Sequence, residues 1–285
     1  KKEGRLPIRV RVYLTPDSLQ SLKAAGIDGT FGDDLLKISG IKAMADGSLG
    51  ARTAWLSFPY SDDLGNYGYR TMSEEKLRRL SNEAQELDLQ LAIHGIGDRA
   101  IDLILDIYKG LANSRTRRHR IEHCSIVRPD QIEIMKRIGC AVAVQPHFVI
   151  TDWWVLERIG KERVSFVYPF KTLIENEIVM GLGTDSPVEP LNPWETVYAA
   201  ITGGELENIP LSDYTPYDRL SLEEALHCYT CGSAEVLNEG KETGTLEPGK
   251  FADFLILEKD PFLESPQEIR NQEILEVHVG GRRVY

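Results

Sequence analysis

Nearly unbroken apolar runs alternate along the chain with segments of helical periodicity. The runs at residues 8–14, 36–45, 90–95, 120–125, 141–145 and 178–183 read as strands of a parallel sheet covered on both faces. Between them, residues 73–87 place Leu77, Leu80, Ala84 and Leu87 on one helical stripe behind Ser73, a side chain suited to an N-cap. Helical patterns recur at 99–111, 129–138, 169–175, 193–201 and 221–237. Strand and helix in strict alternation predict a βα array. After Glu239 the character changes. Turn-rich residues 244–250 lead into an apolar run at 252–257, and Gly280-Gly281 sits inside a hairpin pattern at 277–285. The expected division is a βα domain over 1–238 and a small all-β segment over 239–285.

The chain has 285 residues and a formal net charge of −11, which disfavours a nucleic-acid or anionic-membrane surface as partner. No apolar run approaches the roughly 18 residues that a membrane span requires. The start, Lys1-Lys2-Glu3-Gly4, lacks a signal-peptide core, and the first methionine is Met44, so the chain is expected to begin downstream of a translation start. Four cysteines do not make a disulfide framework, and a cytoplasmic location is expected. Cys228 and Cys231 lie within a helical pattern, without the second ligand pair of a zinc knuckle, and read as half-buried small residues. The basic cluster Arg115, Arg117, Arg118 and Arg120, with His119 inside it, reads as a short solvated patch.

Chemistry collects at strand ends. Lys42 and Asp46-Gly47 close the second run, His94 and Asp98 the third, His123 the fourth and Asp185 the last. Parallel βα sheets and barrels bind ligands at the carboxyl ends of their strands, so Lys42, His94, His123 and Asp185 are expected on one rim. Imidazole and carboxylate together suit zinc and related divalent ions. Taken singly, each has a plainer reading: a hydrogen-bonded histidine, a solvated lysine, a turn aspartate. Four in succession behind apolar runs favour the site. Asp98 is expected to cap the following helix, with a hydrogen bond to a ligand histidine as the other use of its carboxylate. Asp46 is expected to order the turn after its strand. Glu122, next to His123, points to the opposite side of its strand and reads as structural. His147 and Trp153 are expected at the rim, against substrate or lining the pocket with Trp154. His227 and His278 are assigned no chemistry.

In this order the motifs resemble those of the amidohydrolase superfamily. They are Lys-x-x-x-Asp-Gly (42–47), His-x-x-Gly-Asp-x-Ala (94–100), Arg-Ile-Glu-His (120–123), Gln-Pro (145–146) and Gly-Thr-Asp-Ser-Pro (183–187). The similarity is greatest to its branch of exoenzyme-regulatory-type proteins and N-substituted formamide deformylases. Gly-x-Leu-x-x-Gly-x-x-Ala-Asp (244–253) resembles the small β-sandwich of that family.

The resemblance implies a (β/α)8 TIM barrel carrying one or two divalent metals, most simply Zn²⁺, on its carboxyl-terminal rim. Lys42 matches the lysine that bridges two metals once carboxylated, His94 and His123 the ligands of strands five and six, and Asp185 the aspartate of strand eight. The family's His-x-His of strand one is absent, the six histidines being at 94, 119, 123, 147, 227 and 278. Residues 8–14 would then be strand three, and strands three to eight would be present. The expectation is the carboxyl portion of a longer polypeptide, or a chain completed by a second copy as in a homodimer.

For an intact molecule the implied reaction is hydrolysis of a non-peptide carbon–nitrogen bond in a small amide, formamide or cyclic amide. Asp185 would accept the proton of a metal-activated water and return it to the leaving nitrogen. The competing readings are ester or phosphoester hydrolysis at the same centre and an inactive, metal-poor binding module. Loops at 52–69, 148–167 and 203–219 are expected to set the substrate.

Overall fold

The structure is a computed structural model that describes residues 6–285. Six parallel strands build its main sheet: β1 (Val10–Leu14), β3 (Leu36–Met44), β4 (Gln90–Gly95), β5 (Arg120–His123), β6 (Ala141–Val144) and β7 (Met180–Leu182). They pair in the order β1-β3-β4-β5-β6-β7, and the short β2 (Phe31–Gly32) adds antiparallel to β3. The connections are helical: α1 (Leu19–Ala24), α2 (Glu74–Glu86), α3 (Asp98–Lys109), α4 (Ser114–Arg117), α5 (Pro129–Ile138), α6 (Phe148–Thr151), α7 (Val155–Ile159), α8 (Phe170–Glu175) and α9 (Pro193–Thr202). This is a TIM-barrel-like α/β fold, a curled parallel sheet sheathed in helices.

One face of each strand meets those helices. Ile41 and Ala43 of β3, Leu91 and Ile93 of β4, and Ile121 of β5 are fully buried, as are Leu77 and Ala84 of α2 and Ile101 and Ile104 of α3. The alternate positions, Gly40, Lys42, Gln90, Ala92, His94, Arg120 and Glu122, share the inner face. Polar groups here are paired: Arg120 Nη1 donates to the Tyr13 hydroxyl at 2.9 Å, and Tyr13 in turn meets Gln90. Gly40 leaves the room for this, since a Cβ there would lie 2.6 Å from the Tyr13 ring. Register fixes the level of the rim, with Met44 opposite His94 and Gly95 opposite His123.

After α9 come α10 (Leu222–His227), one π-helical turn over Cys228–Gly232, and α11 (Ser233–Val236). Periodicity had suggested one continuous helix. The π-turn falls where Gly232 presses on β7, a Cβ there lying 2.0 Å from the Met180 carbonyl oxygen. Cys228 is buried, Cys231 is half-buried, and both are free thiols. Beyond them β8 (Phe254–Leu257), α12 (Pro266–Arg270), β9 (Ile274–Val279) and β10 (Arg282–Arg283) follow. The three strands form an antiparallel sheet in the order β10-β9-β8, with Gly280-Gly281 at its hairpin turn. Among the described residues, no helix is long and apolar enough to cross a membrane.

One expectation is overturned outright. His119 is completely buried, not part of a solvated patch. Its Nδ1 accepts from the Leu91 backbone N–H at 3.1 Å while Nε2 faces the Asn113 side-chain oxygen at 3.2 Å, so a neutral ring bridges β4 to the chain before β5.

Candidate active site

Lys42, His94, His123 and Asp185 all line one cavity of about 450 Å³ at the carboxyl ends of the strands. The histidines are buried and their rings meet edge to face, 4.5 Å between centroids. Asp185, in a left-handed backbone conformation, lies on the open side. Met44, Leu49, Ile96, Phe148 and Val188 make much of the remaining wall apolar.

His94 is oriented from behind. Its Nε2 donates to the Gly47 carbonyl oxygen at 2.8 Å and lies 3.4 Å from Asp46, which places the lone pair of the neutral ring on Nδ1. Asp46 itself is fully buried and accepts three backbone N–H bonds. Ile96 donates at 3.1 Å, Gly97 at 2.8 Å and Trp55 at 2.8 Å. It therefore ties the end of β3, the end of β4 and the wall loop 47–72 into one piece.

His123 reaches the rim by a different route. Strand alternation does send Glu122 and His123 to opposite sides, but Glu122 is the one on the inner face. It pairs with Arg120 and stands 4.0 Å from the Lys42 ammonium. His123 is brought to the cavity because the chain leaves β5 through two consecutive left-handed residues, His123 at φ 71° and Cys124 at φ 51°. Among the described residues its Nδ1 is buried without a hydrogen-bond partner. Burial, with His94 and Lys42 nearby, pulls its pKa down to about 3, so the ring is a neutral imidazole with lone-pair nitrogen available. Lys42 is lowered by burial against the pull of Glu122. Asp185 is raised by burial against the pull of Lys42.

An orphaned buried imidazole nitrogen beside a second oriented histidine, with a carboxylate and a lysine on the same cavity, is a donor set that fits a divalent ion. Among the described residues, no three His, Cys, Asp or Glu side chains already stand around a common point. The donors present thus make part of a coordination sphere.

The remaining candidates fall elsewhere. Asp98 does not cap its helix: Gly97 holds the N-cap position, and the Asp98 carboxylate, one residue further on, accepts from the Ser57 N–H and from Arg128, each at 2.9 Å. It contacts no ligand histidine, and the contact behind His94 belongs to Asp46. His147 is buried against Glu189, with Glu195 3.7 Å away, and does not line the cavity. Trp153 is exposed and Trp154 lies under Arg158, so neither lines it either. His278 stacks on Phe254 in the small sheet.

Two cavity residues had no sequence signal strong enough to single them out. Asp152, at the end of α6, and Tyr168 line the wall, and the Tyr168 hydroxyl donates to Asp152 at 2.5 Å. The available hint was an isolated carboxylate inside the apolar stretch 148–156.

The family comparison agrees with a parallel α/β sheet that carries such side chains at the carboxyl ends of its strands. The model of the Amidohydrolase family matches residues 1–285, and the chain belongs to that family. The YtcJ protein of Bacillus subtilis (strain 168) is 34% identical over 261 residues, 89% of this chain and 49% of that protein. The N-substituted formamide deformylase of Arthrobacter pascens is 28% identical over 222 residues, 75% of this chain and 40% of the enzyme. An uncharacterized metal-dependent hydrolase from Pyrococcus horikoshii OT3 superposes with a TM-score of 0.87 at 44% identity, over 93% of this chain and 53% of that one. The chain spans about half the length of these relatives.

Proposed function

We propose that this chain carries the carboxyl-terminal rim of a metal-dependent hydrolase that cleaves non-peptide carbon–nitrogen bonds in a small amide, formamide or cyclic amide. One observation carries the reading: Lys42, His94, His123 and Asp185, far apart in sequence, line a single cavity in a member of the amidohydrolase family. The deformylase among its relatives is named for a reaction of this kind.

In this reading His94 through Nδ1 and His123 through its unpartnered nitrogen would hold a divalent ion, zinc by the chemistry of the donors, with Asp185 completing the set. Lys42, if carboxylated by CO₂, would be a further ligand. Such an ion, when bound, activates water and polarises a carbonyl. The chain's own groups do the rest. Asp46 and the Gly47 carbonyl hold His94 in one tautomer. Asp185, on the open side, accepts a proton from the attacking water and passes it to the departing nitrogen. The apolar wall receives the organic body of the substrate and limits competing water.

Elemental analysis after incubation with Zn²⁺ and bicarbonate tests this. Zinc retained through gel filtration, and lost in both His94→Ala and His123→Ala, is the expected result. Hydrolysis of N-acyl rather than O-acyl probes by the metal-loaded protein then checks the reaction. No zinc uptake makes these side chains structural and overturns the reading.

A further inference from the structure

Asp152 is an unusual wall residue. Among the described residues that line the cavity, it and Asp185 are the only carboxylates, and it comes from the loop after β6, separate from the candidate metal donors. Its position is built. The amide of Asp152 donates to the Phe148 carbonyl at 2.8 Å and its carbonyl accepts from Val155, so the backbone is fixed on both sides. Oδ2 receives the Tyr168 hydroxyl, and Tyr168 is itself buried, held in a left-handed conformation with its amide donating to the Ser125 carbonyl at 2.8 Å. Among the described residues Oδ1 takes no hydrogen bond. Around it the wall is largely apolar, with Phe148 and Val188 nearby on the same cavity.

One oxygen of this half-buried carboxylate is thus taken by Tyr168, while the other, without a hydrogen bond, is open to a largely apolar cavity. Burial accordingly pushes its pKa up to about 6, against the pull of the Tyr168 hydroxyl and of Arg158, and with Glu189 adding to the rise. A ligand that brings a positive charge and N–H donors pairs the free oxygen and favours the ionised form. A neutral ligand does so only weakly, and an anionic one is repelled.

We propose that Asp152 is a specificity-determining residue that selects substrates bearing an ammonium-type cationic group on an apolar frame. This deepens the hydrolase reading and rests on it for the reaction: the substrate class becomes N-acylated amines that carry a second, unacylated basic nitrogen. Tyr168 is a positioning residue, holding the carboxylate toward the cavity.

Recognition is measurable without turnover. Calorimetric titration at pH 8, with and without bound zinc, would compare benzylammonium, benzyl alcohol and benzoate, which share one apolar body and differ in charge. Benzylammonium is expected to bind about tenfold more tightly than benzyl alcohol, with benzoate weakest, and Asp152→Asn is expected to bring the first two within about threefold. Tyr168→Phe should keep the order with a smaller gap. Equal binding of benzylammonium and benzyl alcohol to the unaltered protein overturns the proposal, as does an undiminished preference in Asp152→Asn. The first of these comparisons stands even where the variant fails to fold. Hydrolysis of a singly N-acetylated xylylenediamine beside N-acetylbenzylamine separates the two ideas. Charge-selective binding with neither compound cleaved sinks the hydrolase reading and leaves Asp152 as the cation selector; cleavage of both at equal efficiency sinks the selector.

Discussion

A single buried carboxylate does more for the rim than any candidate donor. Asp46 accepts three backbone N–H bonds, and among the described residues none of these donors makes a second hydrogen bond. Asp46→Ala strands all three, and charge-assisted bonds of this kind are worth about 1.5–3 kcal/mol each before compensation by water. A loss of at least about 3 kcal/mol in urea unfolding is expected. The companion prediction concerns His119, which burial, with Arg117 adding, lowers to about 4. Its folded value lies below its unfolded value, so the unfolded chain binds the proton first as pH falls. Stability is therefore unaffected by this group above about pH 6.5 and drains away between there and about pH 4, by about 3 kcal/mol in full. The difference in urea midpoint between pH 7 and pH 4.5 should be smaller in His119→Asn than in the unaltered protein. An equal difference removes His119 as the cause. Both residues show where sequence reading succeeds and fails. Asp46 followed an apolar run and was expected to order a turn. His119 sat among arginines, and nothing in that neighbourhood says that one polar partner waits in β4 and another before α4.

The strand ends were legible as elements because an apolar run sets the direction and one polar residue marks its close. Residues 90–95 and 129–138 were expected as they are found. Loops carry no such period, which is why Asp152 and Tyr168 escaped, and why the use of Asp98 was misread by one position. The N-terminus of α3 shows the physics. Its Arg99 and Ala100 amides donate to the Trp55 carbonyl, and Arg99 stacks over the Trp55 ring at 4.7 Å, so the helix start grips the wall loop. Such close approach requires glycine at 97, where a Cβ would lie 2.1 Å from the Trp55 carbonyl oxygen. Gly97→Ala must therefore push the loop away from the helix. The expected outcome is a loss of about 2 kcal/mol or more with faster amide exchange at residues 53–57. Unchanged exchange there means the loop is held by other contacts.

At the scale of the molecule, the small sheet is joined to the barrel by charge as well as by the packing of Leu257 and Ile269 on the core. Arg9, entering β1, donates two bonds to Asp253 at 2.6 and 3.0 Å and lies over Phe251. Arg11 and Lys37 meet Glu239 where the helical region ends. Burial opposes ionisation of Asp253, yet the bonds from Arg9 and the Gly280 amide hold its pKa below the usual carboxylate range. Asp253→Asn keeps the shape and removes the charge. With both partners partly exposed, a cost of about 1–2 kcal/mol is expected, with earlier amide exchange in β8–β10 than in β4. Simultaneous exchange of both sheets means they open as one unit. The turn-rich entry and the paired glycines made the small sheet itself legible, but not its attachment, because ion pairs spanning 202 to 244 residues leave no local pattern.

The Asp46 junction also has a history in time. Its acceptor oxygens are present as soon as β3 is made, but two of the three donors belong to Ile96 and Gly97, past the end of β4. Until that strand has been synthesised and aligned, the intervening wall loop has little to hold it, however compact its own turns. Closing so long a detour costs chain entropy first and returns contacts afterwards. The wall of the cavity is therefore among the late parts to assemble, and an error in β4 pairing shows itself there before it shows in the core.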